Sequence, residues 1–437
     1  MSYPQAVEAL TGRGRFGISL GLERIGRLLD ELGHPERELR GALVGGTNGK
    51  GSVVAMALAV LTDAGLRVGT MPKPHLVSYR ERIAINGVSL TPARFAAAIQ
   101  RVLPAVDRVA AATGAPTEFE VLTAAAYAEL ARSDLDLALV EVGMGGRLDA
   151  TNSADLGVAA ITNVQHDHEV HLGPTLALIG GEKAPIIKRG NLAVTGASGR
   201  GLRPILDRCA ALGVPLRRAG PRQPYRAELR DISWDGTVVD AATPFGELRE
   251  LRLGLLGAHQ AANAAVTLAL LDALGERFPH AAVDEAAVRR GLAAARWAGR
   301  MEVIEHPRYG RVVLDGAHNP AGAAALAATL AALSVNMPPL VFGAMRGKKV
   351  AAALRALAPI GPRPVFTSVD DPKAHAPEEL LRTWRRIGRG GTVEADPLAA
   401  LGRAAELRRG DGPVVVAGSL YLVGALRGAL TGEHEDG

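Results

Sequence analysis

The sequence predicts a two-domain α/β protein with mainly parallel sheets. Three observations lead there. Short β-branched runs alternate with longer Ala/Leu-rich runs along most of the chain, which is the rhythm of strand–helix–strand units. Its 437 residues are many for one core and comfortable for two. The run Leu135–Val142 is almost continuously apolar, as a strand covered on both faces must be.

The elements follow in order. Ala42–Gly45 reads as a strand entering a Gly-rich turn, and Ser52–Ala64 as the helix after it. Leu135–Val142, Gly157–Thr162 and Asn191–Thr195 read as buried strands. Arg217–Leu253 changes character: its segments are short, and Trp234-Asp235-Gly236 looks like a turn, so a small β-rich insert is expected. Ala258–Gly275 and Ala281–Ala295 return to helical patterns. After Trp297 the alternation restarts, with strands expected at Arg311–Leu314, Pro339–Phe342, Arg363–Ser368 and Pro413–Ala417. A boundary near residue 296 therefore divides a first domain, 1–296, from a second, 297–437, with Trp297–Glu305 as the crossing. The tail Thr431–Gly437 is expected to fray.

Composition excludes several classes. Apolar residues make up 48% and aromatics only 4%, so Ala, Leu and Val must fill the interior. The formal net charge of +5 is small for this length. The arginine-rich stretches (Arg217, Arg218, Arg222, Arg226; Arg382, Arg385, Arg386, Arg389) read as solvated faces. They lack the aromatic platform of a nucleic-acid site. One cysteine, Cys209, provides neither an intrachain disulfide nor a Cys-based zinc site. Met1–Arg15 lacks the apolar core of a signal peptide. Ala321–Val335 is too short and too weakly apolar to span a bilayer. A soluble cytoplasmic protein is expected, without nucleic-acid or membrane partners.

The sharpest local feature is Gly45-Gly46-Thr47-Asn48-Gly49-Lys50-Gly51-Ser52, set between a strand and a helix. Glycines let backbone N–H groups close around phosphate oxygens, and a helix N-terminus adds its positive end. Lys50 can reach the β/γ-phosphates, and Ser52 can offer a hydroxyl to Mg²⁺. The spacing departs from the common Walker pattern, because Gly51 follows Lys50 where Ser or Thr is usual. A plain Gly-rich turn is the competing reading.

Glu141 closes a strand, where α/β sheets bind their ligands, and it can hold Mg²⁺. Taken alone, a strand-end Glu paired with Arg147 explains it as well. His166, His168 and His171 do not stand at helical i, i+4 spacing and have no thiolate nearby, which disfavours zinc. His168 assisting Mg²⁺ beside phosphate is preferred, with exposed loop histidines as the alternative for the other two. By composition, Lys183 is a helix-end lysine in a salt bridge.

Together these motifs resemble the folylpolyglutamate synthase/dihydrofolate synthase family of the Mur ligase superfamily. The resemblance runs through Arg15–Ile18 with Leu20–Ile25, Leu43–Ser52, Pro74-His75-Leu76 with Glu81-Arg82-Ile83, and Glu141–Asn152. It continues through Ile161-Thr162-Asn163, Asp167-His168, Glu182-Lys183-Ala184, His259-Gln260 and Asn263-Ala264. Trp297, Gly299-Arg300 and Glu302 match a hinge signature, and Asp315–Pro320 and Gly418-Ser419-Leu420 complete the series. The resemblance implies a P-loop ATPase domain followed by a smaller Rossmann-like α/β domain, in a monomeric enzyme. The implied reaction is ATP-dependent joining of L-glutamate to dihydropteroate or a reduced folate.

It also implies residue roles. Gly46, Thr47, Asn48, Gly49, Lys50, Gly51 and Ser52 would hold ATP, with Asn263, Arg300 and Asp315 reaching it from the hinge and second domain. Ser52, Glu141, His168 and a carbamylated Lys183 would serve Mg²⁺. Lys50, Lys183, Arg300 and His318 would be catalytic. Thr117, Phe119, Asp149, Ala150, His318 and Ser419 would contact substrate. One departure stands out: Lys73 occupies the place of a Ser that ligates Mg²⁺ in the family, and an ammonium cannot do so. Two rivals follow: another Mur-type ligase, acting on a cell-wall precursor or poly-γ-glutamate, and a nucleotide-binding protein that has lost ligation.

Overall fold

The computed structural model describes residues 1–12, 21–388 and 390–433. The opening-segment residues Arg15–Ile18 and Leu20, together with Arg389, lie outside the described residues.

Two sheets organise the chain. The first has eight strands: β1 (Gly41–Gly45), β2 (Val68–Met71), β3 (Ala84–Ile85), β4 (Val88–Ser89), β5 (Leu137–Glu141), β6 (Gly157–Ile161), β7 (Leu192–Thr195) and β8 (Leu216–Arg218). Their order is β4-β3-β2-β5-β1-β6-β7-β8, parallel except for the hairpin β3–β4 and its junction with β2. Three antiparallel strands follow: β9 (Arg226–Ser233), β10 (Gly236–Thr243) and β11 (Gly246–Leu253). The second large sheet holds β12 (Glu302–His306), β13 (Gly310–Leu314), β14 (Pro339–Phe342), β15 (Arg363–Phe366), β16 (Thr392–Val393) and β17 (Val414–Ala417), in the order β12-β13-β17-β14-β15-β16.

Strand alternation explains the layering. Ala42 and Val44 of β1 join Leu137 and Leu139 of β5 in a core beneath the helices Lys50–Asp63 and Gln260–Arg277. Leu43, Ala138 and Val140 point the other way, into a core shared with the helices Pro92–Thr113 and Glu118–Ala131. Because side chains alternate with period two, each central strand must be apolar on both faces. That requirement produced the continuous apolar runs visible in the sequence.

Most expected elements are present, with differences that have physical causes. The helix expected from Ala281 starts at Glu285, where Asp284 caps it through a 2.7 Å bond to the Ala287 N–H. The crossing segment contains an unexpected strand, β12, which pairs antiparallel with β13. Its residues are half-exposed and carry no clear alternation. Arg217 is not on a solvated face: its guanidinium is mostly buried and pairs with Asp272 at 2.6 Å. The final helix runs to Thr431.

No helix among the described residues is long and apolar enough to cross a membrane. The last helix, Leu420–Thr431, docks on the loop after β2. A Cβ on Gly424 would stand 1.9 Å from the Leu76 carbonyl oxygen, so only glycine allows this approach. Gly424→Ala is expected to cost about 1–3 kcal/mol by overpacking. Chemical denaturation measures the loss, and small-angle scattering should show the two sheets' lobes less closely docked.

Candidate active site

β1, β5 and β6 are neighbours, and their carboxyl ends open onto one crevice. The chain order reverses on either side of β1, and that is where parallel sheets bind ligands. The crevice is a cleft of about 750 Å³ that also takes residues from the hinge and the second sheet. All the candidate residues line it except Ser419. That hydroxyl is buried and accepts from the Tyr421 N–H at 3.2 Å, capping the final helix.

The turn after β1 is shaped by close approaches. Gly46 has φ +141° and Gly49 φ +81°. A Cβ on Gly46 would meet the Thr162 hydroxyl at 1.9 Å, and one on Gly49 the Asn263 carbonyl oxygen at 2.3 Å. The loop after β6 stitches the turn in place: Asn48 N–H donates to Asn163 Oδ1 at 3.0 Å, and Thr162 Oγ1 donates to the Asn48 carbonyl at 2.6 Å. The helix Lys50–Asp63 then starts with N–H groups that have no intrahelical acceptor, and its positive end faces the cleft. Gly51 is small because of Trp297, whose indole Nε1 would lie 2.6 Å from an added Cβ. The departure from the Walker spacing thus has a steric cause.

Lys50 folds back, its Nζ donating to the carbonyls of Gly46 and Thr47 at 3.3 and 3.2 Å. It lies 4.0 Å from Glu141 Oε1. Burial lowers its pKa and Glu141 opposes the shift. Glu141 is itself buried, which raises its pKa against the pull of Lys50. Its other oxygen accepts from the Lys73 backbone N–H at 3.2 Å. Arg147 does not pair with it, being bonded instead to Glu182 at 2.9 Å.

Lys183 is a correction to the salt-bridge expectation. Its Nζ is buried and donates to the Gly46 carbonyl at 3.0 Å. Desolvation, reinforced by Lys50, brings its pKa down to about 7. His168 stands in the left-handed region at φ 51°. Desolvation and Lys348 hold its imidazole neutral, with a pKa of about 4. The Ser52 hydroxyl, the Glu141 carboxylate and the neutral His168 imidazole line the same cleft and are donor types that suit a hard divalent cation, while among the described residues no three His, Cys, Asp or Glu side chains cluster as a metal site.

The substrate-side candidates are partly spent on structure. Thr117 caps the helix Glu118–Ala131 and donates to Glu120 Oε2 at 2.9 Å. Asp149 Oδ1 accepts from the Thr151 N–H and hydroxyl at 3.1 and 2.6 Å, and Oδ2 from the Met144 N–H at 2.8 Å. Asp149 therefore fixes the loop that carries the buried Ala150, and the half-buried Phe119 lines the cleft with it. Asp315 plays a similar part at the hinge, accepting from the Met301 and Ala317 N–H groups at 2.9 and 2.8 Å.

The two lobes meet over the cleft. Asp167 pairs with Lys348 at 3.0 Å, and His318 Nε2 lies 3.5 Å from its other oxygen. Asn319 bridges Asp167 and Asn48 at 3.2 and 3.1 Å. Burial alone would raise the Asp167 pKa, but His318, Lys348 and His168 outweigh it and hold the carboxyl well below its usual range. Sequence reasoning missed Lys348 as a site residue, because a Lys pair after a Gly reads as an ordinary surface turn. It also gave Arg82 no role. Arg82 Nε donates to His75 at 3.0 Å, and its buried Nη1 has no hydrogen-bond partner. The signal there was only the motif Glu81-Arg82-Ile83.

Two family models match the chain: the Mur ligase middle domain over residues 44–271, and the Mur ligase glutamate ligase domain over 299–420. A Bacillus subtilis dihydrofolate synthase/folylpolyglutamate synthase is 33% identical over 98% of this chain and 99% of its own length. The chain belongs to this family. A Mycobacterium tuberculosis folylpolyglutamate synthase solved with ADP superposes with a TM-score of 0.90 at 33% identity, covering 99% of each chain. An Escherichia coli family member solved with DHPP and ADP gives 0.87 at 29% identity, covering 99% of this chain and 98% of its own. Parallel-rich sheets in two lobes are thus the family's fold, as the motifs implied.

Asp167 offers a direct test of the inter-lobe contacts. Its folded pKa is depressed, so its contribution is present above the unfolded value near 4 and is lost as pH falls below that value toward the folded one. Asp167→Asn is expected to cost about 1–3 kcal/mol at neutral pH. Urea denaturation should find the gap between wild type and variant nearly constant from pH 7 to pH 5 and narrowing only as pH falls below 4.

Proposed function

We propose that this chain joins L-glutamate to dihydropteroate, to a reduced folate, or to both, at the expense of ATP. One observation carries the reading. The turn shaped for phosphate opens into the same cleft as the Phe119 and Ala150 wall and the hinge residues Arg300 and Asp315. A carboxylate lying against that wall is presented to a nucleotide's γ-phosphate. The names of the relatives support the substrate assignment.

The chemistry follows from the groups at hand. The acceptor's carboxylate oxygen attacks the γ-phosphorus of ATP, and the bond to ADP breaks. Backbone N–H groups of the turn and the first helical residues hold the phosphates, while Lys50 and Arg300 neutralise charge on the group in transit. Bound Mg²⁺, held by Ser52, Glu141 and His168, would supply further charge neutralisation. The amine of glutamate then attacks the acyl carbon, and the tetrahedral adduct expels phosphate. With the second lobe closed, His318 and Asn319 stand at the cleft and exclude water that would hydrolyse the acyl phosphate.

Lys183 adds charge control. An amine with a pKa of about 7 is neutral in about half of the molecules near neutral pH, and CO₂ addition requires that form. Carbamylation would replace a buried cation beside Lys50 with an anionic metal ligand. We also infer a domain boundary near residue 296, just before β12. A cytoplasmic location fits the single, buried Cys209, and the family resemblance implies a monomer.

Phosphate release from ATP should require both glutamate and a pteroate or folate. Release with a cell-wall precursor in place of the pteroate would overturn the substrate assignment. Lys50→Ala is expected to abolish turnover, and normal turnover would remove its assigned role. With ¹³C-bicarbonate at pH 8, NMR should show a carbamate resonance that is lost in Lys183→Arg and fades in wild type below pH 6.

A further inference from the structure

Lys73 is a cation in this cleft that the mechanism leaves unused. Its backbone N–H is fixed to Glu141, beside the phosphate turn. Its side chain runs the other way, and Nζ sits 3.8 Å from the centroid of the Phe119 ring. Lys73 thus spans the distance between the phosphate end of the cleft and its aromatic wall. Gly143 leaves room for it: an added Cβ there would stand 2.2 Å from Nζ.

The ammonium is poorly satisfied. Partial burial in the cleft wall lowers its pKa. The ring face gives it electrostatic attraction, but among the described residues Nζ makes no hydrogen bond. Asp149 is the nearby carboxylate. A Cβ on Gly143 would stand 2.7 Å from Asp149 Oδ2, yet both Asp149 oxygens are already engaged by Met144 and Thr151. An ammonium with three donors and no acceptor, lining an open cleft, is a site waiting for an anion.

We propose that Lys73 binds the carboxylate of the pteroate acceptor, at the junction between the Phe119 wall and the phosphate turn. The proposal rests on the glutamate-ligase reading. An acceptor whose ring system lies along the aromatic wall must carry its carboxylate past Nζ to reach the γ-phosphate. Lys73 then offsets the repulsion between two anions that have to meet, and keeps its contact when the carboxylate becomes an acyl phosphate. A purely structural Lys73, stacked on Phe119 to fill space, is the competing account.

A ligand-and-residue cycle separates the two. Calorimetry with ADP present would measure binding of 7,8-dihydropteroate and of its carboxamide to wild type, Lys73→Met and Lys73→Arg. Lys73→Met should weaken the acid about tenfold or more, as loss of a charge-assisted contact does. It should leave carboxamide and ADP affinities within about twofold, and Lys73→Arg should recover most of the loss. Equal weakening of acid and carboxamide, or no weakening of either, overturns the proposal and leaves the ligase reading standing. Failure of wild type to bind the acid removes this inference, and the ligase reading falls with it only where a reduced folate is not bound either.

Discussion

The cleft is held together around an excess of buried positive charge. Lys50 lies beside the buried Glu141 carboxylate, while the amines of Lys183 and Lys73 rest on the Gly46 carbonyl and the Phe119 ring, with Arg300 and Arg82 on the same walls. Lys50 and Lys183 satisfy themselves on backbone carbonyls of the turn, chiefly that of Gly46. Asp149 offsets part of this charge from a distance, but the oxygens of Asp149 and Asp315 are bonded to backbone N–H groups rather than to these amines. Cations held this way are costly until a polyanion arrives. Their lowered pKa values record the same strain. A nucleotide's phosphates are the kind of group that relieves it.

Sheet topology makes that convergence possible. Lys50 follows β1, Glu141 ends β5, and Asp167 and His168 follow β6. These three adjacent parallel strands deliver distant sequence segments to one edge. Glycine then sets the distances. Gly46 and Gly49 allow the turn to lie against Thr162 and Asn263, and Gly51 lets Trp297 of the hinge rest on the helix start. The nucleotide end of the cleft is therefore already in contact with the segment that leads to the second lobe.

Much of this was legible in the sequence, for reasons that can be named. The central strands announced themselves because burial on both faces demands unbroken apolar runs, as in Leu137–Glu141. The phosphate turn was legible because few other demands place glycines, a lysine and a hydroxyl between strand and helix. Strand β12 was not, since its half-exposed residues carry neither alternation nor continuity. Lys183 was misread as a surface ion pair. Nothing local to Gly181–Lys188 reveals that its amine is buried under the Gly46 carbonyl, a contact between residues far apart in the chain. Nor does the Gly418-Ser419-Leu420 motif reveal that the Ser419 hydroxyl caps the final helix.

Lobe closure and nucleotide holding share one loop, which links the two physically. Asn163 fixes the Asn48 N–H of the phosphate turn. A few residues later, Asp167 receives Lys348, His318 and Asn319 from the second lobe. Asn319 also reaches Asn48 directly, so the turn touches the second lobe by two routes. A shift of the loop that opens the lobes must therefore disturb the turn, and a turn braced by bound phosphate stiffens the surface on which the second lobe closes. A ligase that must keep water from an acyl phosphate needs closure to follow binding. Here the same short segment carries both, and no long-range relay is needed to connect them.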